Sequence, residues 1–542
     1  MSIYEGDSGS ERPEGGLLSR RDLIGRAAAG TAGLGAASLL AGTPAFAKAA
    51  AAKVAAATPK HGGTMTMAIN TDGAGDTFDP GLAGSPSDVV RLYLAFDPLV
   101  RLAPDFKLAP GLALEWNANK HATVYEIKLR KGVVWHDGKK FTADDVIYSL
   151  RRMGSPTNRG NASVANVRLH DLKKLNDHTV RVPLIHPDGD LQARFVSFNS
   201  SIVVQNGATA ASFSKPIGTG PFMVTGFTPG QSATSVRNPN YWDHPKPYLD
   251  ALNLTSILDD TARFNAVLGG QAQYCTPTIF PLAKANQHNS SVQLLVSQSG
   301  PSQVIYMRLD KAPFTDNRVR EALKLIVDRQ AMVNVALDGY GTIANDVYGH
   351  KGITNYDDSL PQRQPDIEKA KSLLKAAGQS DLQLVLQTSD VTAGITPAAA
   401  LFAQQAAKAG VKVKVKTVST SQYFNSSTLY GKMPFAQDTW PIPSLPSIYA
   451  ETFLGSGPAN ETHLTDPKFI AALNTALQKL PGPARQHAWN QVQSSMRNAG
   501  GSIVWASRLS VDALAPTVRG QVPGWVFAGN DQHHYNLWLT NA

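Results

Sequence analysis

The chain has 542 residues, of which 42% are hydrophobic and 17% charged, and its formal net charge is +9. This length exceeds one ordinary domain and the composition excludes wholesale disorder, so we expect two or three packed units. The lysines and arginines are scattered, without a long run or regular aromatic interleaving. This argues against a nucleic-acid partner and leaves solubility, or a preference for acidic ligands, as the role of the charge.

The first 47 residues have the pattern of an export signal. Arg20 and Arg21 precede an uncharged, mildly apolar stretch, 27–47, that ends in Ala45-Phe46-Ala47. Small residues at this spacing predict cleavage after Ala47. The arginine pair resembles a Tat signal, with an ordinary Sec signal as the alternative. A membrane anchor is disfavoured, because a span needs about 20 predominantly apolar residues.

Cys275 is the one cysteine in the sequence. It does not lie at the cleavage site, so we expect no lipid anchor and a free protein in a Gram-negative periplasm. A single cysteine excludes an internal disulfide and a zinc cluster of several thiolates, and Cys275 is predicted to be a small buried residue. The alanine-rich segment 48–60 is predicted to be a disordered linker.

Two strands are predicted near the start of the mature chain. Residues 64–69 are followed by a turn-rich loop over 71–80. Residues 123–130 alternate, which places Tyr125, Ile127 and Leu129 on one face of a strand. Thr142 and Asp145 then have the spacing of a capping box, which predicts a helix to Arg152.

Three more helices are predicted further along the chain. Thr315 or Asp316 begins one that runs to Gly339, and its apolar stripe consists of Val319, Leu323, Ile326 and Val333. The others cover 366–378 and 398–409. The period-2 stretch 411–416 follows as a strand, and its lysines predict the solvated face of an edge strand. Helix, glycine and strand in this order are typical of an α/β unit.

No catalytic pattern is found. The sequence contains no phosphate-binding glycine loop, no nucleophile elbow and no H-E-x-x-H motif. His136-Asp137 and His533-His534 are possible metal ligands, but neither has a second cluster at ligand spacing. We therefore expect no enzymatic activity, no bound metal and no cofactor.

An ordered set of motifs resembles the family 5 extracellular solute-binding proteins of ABC transporters, the peptide/nickel-binding type. Residues 109–152 contain an L-R-x-G-V-x-W-H-D-G core at 129–138, followed by Phe141-Thr142-Ala143. The other matching segments are 216–222, 237–242, 313–322 and 366–378. They keep the order of the family and run across nearly all of the mature chain.

The resemblance implies an α/β architecture, the two-lobed periplasmic-binding-protein type II fold (cluster C) with an extra subdomain on lobe one. The implied lobe one takes 60–98, 217–303 and 506–542, the subdomain 99–216, and lobe two 304–505. Hinges are expected near 301–309 and 506–509. The lobes of such a protein close over a ligand in the cleft between them.

The resemblance also implies a function and partners. The chain is expected to capture a small molecule or short peptide and deliver it to an ABC permease, which an ATPase drives at the inner membrane. It is expected to act as a monomer without nucleic acid. The alternatives are a binding protein for a metal chelate, an opine-like compound, an oligosaccharide or another modified amino acid, and a subunit that signals to a chemoreceptor. An exported enzyme on a borrowed fold is the alternative from another class.

The peptide-binding members of the family read a peptide amino terminus with an aspartate a few residues after a tryptophan. Trp440 matches that tryptophan, but the next four residues, 441–444, contain no acid. Asp438 is a candidate substitute, and a surface carboxylate is its alternative role. The chain therefore departs from the family pattern at the residue that would read an ammonium.

Four further residues complete the predicted ligand site. Arg308 stands where the family commonly has asparagine, and the corresponding strand borders the family's cleft. It is predicted to hold a carboxylate or phosphate, with a salt bridge between the lobes as the alternative. Thr71, Asp72 and Phe78, from the loop after the first strand, are the other candidates.

Overall fold

The structure is a computed structural model that describes residues 58–71, 73–103, 105–196, 202–297, 300–423, 429–442, 444–454, 459–522 and 531–542. The predicted export signal with Arg20, Arg21 and Ala47, most of the predicted linker 48–60, and Asp72 lie outside these residues. Within the described ranges, no helix is both long and apolar enough to cross a membrane.

The β-strands follow one another along the whole described chain. They are β1 (Thr64–Ile69), β2 (Val100–Leu102), β3 (Leu108–Pro110), β4 (Ala113–Ala118), β5 (Val124–Leu129), β6 (Lys173–Asn176), β7 (Thr179–Pro183), β8 (Phe222–Thr228), β9 (Ser232–Arg237), β10 (Ala251–Ser256), β11 (Tyr274–Thr276), β12 (Gln293–Ser297), β13 (Ser302–Met307), β14 (Gly341–Ile343), β15 (Gln383–Thr388), β16 (Lys412–Thr417), β17 (Phe435–Trp440), β18 (Ser502–Arg508), β19 (Ser510–Leu514), β20 (Val518–Arg519) and β21 (Trp538–Leu539).

The α-helices alternate with these strands and are concentrated after residue 316. They are α1 (Pro86–Ala95), α2 (Ala143–Met153), α3 (Asn161–Val164), α4 (Leu191–Arg194), α5 (Asp260–Leu268), α6 (Phe280–Ala285), α7 (Asn317–Ile326), α8 (Arg329–Ala336), α9 (Ile367–Ala376), α10 (Ile395–Ala407), α11 (Thr420–Tyr423), α12 (Leu445–Leu454), α13 (Pro467–Gln478) and α14 (Pro483–Ala499).

One sheet has seven strands in the order β12-β19-β11-β1-β10-β9-β8. Its central strand, β1, lies parallel to both β10 and β11. Met65, Met67 and Ile69 of β1 pack into one core cluster and Ala68 into another, so both faces of the sheet are covered. The predicted strand 64–69 is confirmed, and Cys275 is buried in β11 beside Ala68.

A second sheet has six strands in the order β14-β18-β13-β17-β15-β16. All six residues of β13 are buried, with Val304 and Tyr306 in one cluster and Ile305 and Met307 in another. β16 lies at the edge of the sheet with its three lysines exposed. The predicted edge strand at 411–416 is therefore confirmed.

A smaller antiparallel sheet has the order β4-β5-β7-β6. Tyr125, Ile127 and Leu129 of β5 are buried while the residues between them are exposed, as their alternation predicts. The Thr142 and Asp145 capping box begins α2, also as predicted. The side chains of α2 and β5 thus share one core with the buried Trp135.

The predicted helix from Asp316 to Gly339 is two helices, α7 and α8. Val327 between them has extended backbone, and Asp328 accepts a hydrogen bond from Ala331 N, which begins a new helix. An aspartate that caps can interrupt a continuous apolar stripe. The helix after Asp366 is confirmed with Asp366 as its N-cap, and the third predicted helix begins earlier, at Ile395.

The chain passes between the two large sheets twice, from Ser297 to Ser302 and from Arg508 to Ser510, and we call these passages the two crossings. They touch each other, because Arg508 N donates to Pro301 O at 3.0 Å. A Cβ added to Gly300 would overlap the carbonyl oxygen of Arg508. Only glycine allows the two crossings to lie this close.

The subdomain predicted for 99–216 meets the helices after β17 at a separate place. Gly189 N donates to Leu477 O at 2.8 Å, and Asp190 forms a buried ion pair with Arg485 at 2.8 Å. This part of the chain is therefore attached to α13 and α14 by a backbone hydrogen bond and a buried ion pair.

Gly300→Ala is expected to destabilise the fold, because a backbone carbonyl cannot rotate away from the new methyl group. We expect the free energy of unfolding in urea to fall by about 2–4 kcal/mol. Gly269→Ala is the matched control, since the added methyl group would lie 3.3 Å from Asn265 O, and a change within about 1 kcal/mol is expected. Equal losses in both variants would contradict close contact at the crossings.

Candidate ligand-binding site

The strand ends next to the crossings form the candidate site. In the six-stranded sheet Ser302 pairs with both Trp440 and Ser507. The start of β13 therefore meets the ends of β17 and β18 beside the crossings. Thr388 ends β15 at the same edge. We call this the crossing edge. Ligands of open α/β sheets bind outside the carboxyl ends of strands, and here β15, β17 and β18 all end at the crossing edge.

The facing loop of the seven-stranded sheet follows β1. Thr71 Oγ1 donates to Asp76 Oδ2 at 2.8 Å, and Asp76 Oδ2 also accepts from Gly230 N at 3.0 Å. Arg91 pairs with the same buried carboxylate at 2.5 Å. Thr71 is therefore held at the carboxyl end of β1, where a ligand between the two sheets could reach this loop.

Phe78 lies in the core of the seven-stranded sheet. Its side chain is fully buried and packs edge-on against Phe227, with ring centroids 4.9 Å apart. The turn-rich loop predicts that Phe78 faces a ligand, whereas the structure places its ring in the core. The loop turns its aromatic residue inward, because burial of a large apolar ring outweighs loop position.

Trp440 ends β17 at the crossing edge, where it pairs with Ser302. Its indole Nε1 donates to Glu461 Oε2 at 3.0 Å, and the side chain is nearly buried. Glu461 lies 21 residues further along the chain, where no sequence pattern linked it to Trp440. The glutamate fixes the orientation of the indole ring.

Asp438 and Glu461 form a buried pair of carboxyl groups beneath Trp440. Burial raises the pKa of Asp438. Burial raises the pKa of Glu461 well above its usual range, and the neighbouring Asp438 charge raises it further. Glu461 therefore keeps its proton and donates it to Asp438, which also accepts from Thr439 N at 2.5 Å. Within the described residues neither carboxyl group belongs to a salt bridge.

This environment changes the interpretation of Asp438. The side chain is buried and already accepts hydrogen bonds from Glu461, Thr439 N and Tyr430. A surface carboxylate, the alternative considered from the sequence, is therefore wrong. Asp438 therefore supports Glu461 and Trp440, and its carboxylate is already occupied by these donors rather than exposed to a ligand's ammonium.

Arg308 lies beyond the opposite end of β13. Met307 pairs with Phe435 at the start of β17, whereas the crossing edge is at Ser302. Arg308 makes a bidentate ion pair with Asp310, at 3.0 and 2.7 Å, and its third nitrogen donates to Lys432 O at 3.0 Å. The hydrogen bonds from Arg308 lower the pKa of Asp310 to about 2.

The ion-pair partner of Arg308 is Asp310, only two residues further along the chain. Its guanidinium is also satisfied by groups of the chain itself. The direction of β13, which the sequence alone does not reveal, sets Arg308 at the end of the strand away from the crossings.

Arg508 is the arginine that lies at the crossing edge, and sequence reasoning missed it. Its Nη1 donates to Thr392 Oγ1 at 3.1 Å, in the loop after β15. Burial lowers the pKa of Arg508 to about 10. The available signal was its position within the predicted hinge 506–509, together with the presence of a charge in an otherwise uncharged strand.

The two histidine pairs considered as metal ligands have other surroundings. His136 accepts from Gly218 N at 3.2 Å and faces Gly220 O at 3.0 Å, so it joins two loops. His533 and His534 are buried, and burial lowers their pKa values to about 3 and about 4. In the described part of the chain no three metal-binding side chains cluster.

The sequence is similar to those of known solute-binding proteins. The model of the bacterial extracellular solute-binding proteins, family 5, matches residues 107–461. The chain is 28% identical over 455 residues to heme-binding protein A of Haemophilus influenzae, covering 77% of this chain and 82% of that protein. It is 29% identical over 386 residues to di/tripeptide-binding protein 2 of Pseudomonas aeruginosa, covering 65% and 71%.

The fold is also similar to a solved structure. The ABC transporter substrate-binding protein CtaP of Listeria monocytogenes matches with a TM-score of 0.78 and 20% identity, covering 89% of this chain and all of that one. At this identity the likeness concerns the fold.

Glu461→Gln is expected to flatten the dependence of stability on pH. Above about pH 4.3, the ordinary pKa of glutamate, the unfolded chain releases a proton that folded Glu461 retains. The folded state therefore loses stability as pH rises toward the raised pKa, by up to about 1.4 kcal/mol per pH unit. The glutamine variant should lack this loss when urea unfolding is compared between pH 5 and pH 8.

Glu368→Gln serves as the control, because the Glu368 side chain is 83% exposed. Its stability should follow the wild-type curve across the same pH range. A Glu461→Gln curve parallel to the wild type would contradict a retained proton on the buried pair.

Proposed function

This chain belongs to the bacterial extracellular solute-binding proteins of family 5, and we propose that it captures a peptide or peptide-like solute between two lobes and delivers it to the permease of an ABC importer. The observation that carries the proposal is the pair of touching crossings between two sheets whose strand ends meet there. Such a connection lets two bodies close on a ligand by small backbone changes.

We propose the lobe limits inferred from the sequence, with lobe one at 60–98, 217–303 and 506–542, lobe two at 304–505 and the subdomain at 99–216. Rotation would take place at the two crossings. Closure buries the solute, and the permease can then distinguish loaded from empty protein by its shape. The protein makes and breaks no covalent bond in this cycle, so we propose a carrier without catalytic activity.

A peptide-like solute is supported by the similarity to a di/tripeptide-binding protein. The candidate site offers Thr71, Trp440 and Arg508 around the crossings, a hydroxyl, an aromatic ring and a cation. These groups suit a short solute with both polar and apolar parts.

A non-peptide solute is the second candidate, and two observations favour it. The four residues after Trp440 contain no acid, and Asp438 is buried with Glu461. An ammonium group would therefore need a different partner from that of the peptide-binding relatives. The similarity to a heme-binding protein supports a larger planar solute as this second candidate.

We further propose a periplasmic location, reached through a Tat-type signal that contains Arg20 and Arg21 and is cleaved after Ala47. The proposed partners are the permease and ATPase subunits of an importer at the inner membrane, and the working state is a monomer. Coupling to a chemoreceptor stays an alternative to transport.

Binding of a solute is expected to raise the melting temperature of the purified chain. A ligand at 100 times its Kd that binds only the folded state adds about 2.7 kcal/mol of stability. A tripeptide mixture should therefore shift the melting curve, and free amino acids of the same composition serve as the control. A clear shift with heme and none with peptides would overturn the peptide assignment in favour of the second candidate.

Replacing Arg20 and Arg21 by lysine is expected to leave the uncleaved precursor in the cytoplasm, because the paired arginines are the proposed Tat signal. Cell fractionation with immunoblotting measures the distribution. Lysine at Arg12 and Arg26 is the matched control and should leave export intact. Normal export of the Arg20 and Arg21 variant would instead assign the leader to the Sec route.

A further inference from the structure

Arg508 is half-buried, and it differs from the buried arginines in the charge that surrounds it. Those arginines face carboxylates or several backbone carbonyls, as in the pairs Arg91 with Asp76, Arg329 with Asp346 and Arg485 with Asp190, and in the bonds from Arg320 to Phe314 O and Ala499 O. Within the described residues, Arg508 makes one side-chain hydrogen bond, to the neutral hydroxyl of Thr392, and no ion pair.

The Arg508 side chain is partly exposed, while one edge of its guanidinium lies away from solvent. Its Nε is buried and has no hydrogen-bond partner in the described chain. Removing a guanidinium from water without a compensating charge is unfavourable, so a fold selected for stability alone would pair it or replace it. Uncompensated groups of this kind mark places where stability gives way to function.

The position of Arg508 places this cation between the lobes. Arg508 is the last residue of β18, immediately before the chain returns to the seven-stranded sheet, and its backbone N bonds to Pro301 O of the other crossing. Its side chain reaches the loop that leaves β15, which begins with the buried hydroxyls of Thr388 and Ser389. Neither hydroxyl has a partner in the described residues.

We propose that Arg508 binds a carboxylate of the solute at the crossing edge. A guanidinium offers parallel N–H donors that match the two oxygens of a carboxylate, and the loop hydroxyls add further donors. An acid bound there would neutralise the half-buried cation at the point about which the lobes are proposed to rotate. The inference deepens the proposed function and rests on it, because it assigns an acidic group to the captured solute.

The first test compares a tripeptide mixture with its C-terminally amidated counterpart by calorimetric titration. Wild type should bind the free acids at least about 10-fold more tightly, a usual difference for a charged hydrogen-bonded pair. Arg508→Gln should lose this preference, and Arg508→Lys, which retains charge without the planar fork, should keep part of it. Arg318→Gln is the control, because Arg318 is exposed and paired with Asp316.

An Arg508→Gln protein that keeps the full preference for free acids would overturn the proposal. The melting temperature without solute reports on the fold of each variant. Removing a half-buried cation that has no ion pair should leave that temperature unchanged or raised, whereas the loss of a purely structural arginine would lower it.

The second test does not depend on the identity of the solute. Sodium acetate, at the ionic strength of a sodium chloride reference, should raise the melting temperature of wild type by about 1 °C or more and leave Arg508→Gln unchanged. An equal effect on both proteins, or stabilisation by inorganic phosphate alone, would overturn the carboxylate assignment. If wild type binds no tripeptide, the proposed peptide function fails and the acetate comparison alone decides the role of Arg508.

Discussion

The contact between the two crossings is the constraint on which the rest of the structure depends. Gly300 lies against the carbonyl of Arg508, and Arg508 N bonds to Pro301 O, so two chain segments some 200 residues apart in sequence are held side by side. This contact brings the ends of both large sheets to one place. A solute that touches both sheet edges would therefore act directly on the segments that connect them.

Buried charge is distributed unevenly in this protein. Most buried arginines and aspartates form compact ion pairs, which stabilise the positions of loops such as the one after β1. Among the described residues, the Asp438–Glu461 carboxyl pair and half-buried Arg508 have no such ion pair, and neither do the buried Arg320, Asp145 and Asp357 elsewhere in the fold. Asp438 lies on β17 and Arg508 on β18, and both strands end at the crossing edge. Two of the poorly compensated groups thus lie where a ligand is expected.

Local patterns in the sequence predicted local structure well. The alternation of β5, the Thr142 capping box and the lysines of β16 each depend on neighbouring residues, and all three were confirmed. The helix predicted from Asp316 is divided at Asp328, which caps a second helix. A capping aspartate interrupts a continuous apolar stripe only where tertiary packing favours a turn, and the sequence alone does not show that packing.

The site could be predicted only in part, because it depends on strand direction and register. Trp440 was found through a family motif, whereas its partner Glu461 comes from a distant loop with no pattern of its own. Arg308 follows β13 and Arg508 ends β18. These two strands are antiparallel, so Arg308 lies far from the crossings and Arg508 lies at them. The sequence contains both arginines but not the register that separates them.

The central claim is that the two lobes close on a solute, and small-angle X-ray scattering tests it most directly. The radius of gyration of the purified chain should decrease when a saturating tripeptide mixture, or heme if that is the solute that stabilises the protein, is added. The decrease should disappear after the solute is removed by dialysis. A radius of gyration that stays constant under saturation would contradict closure about the crossings.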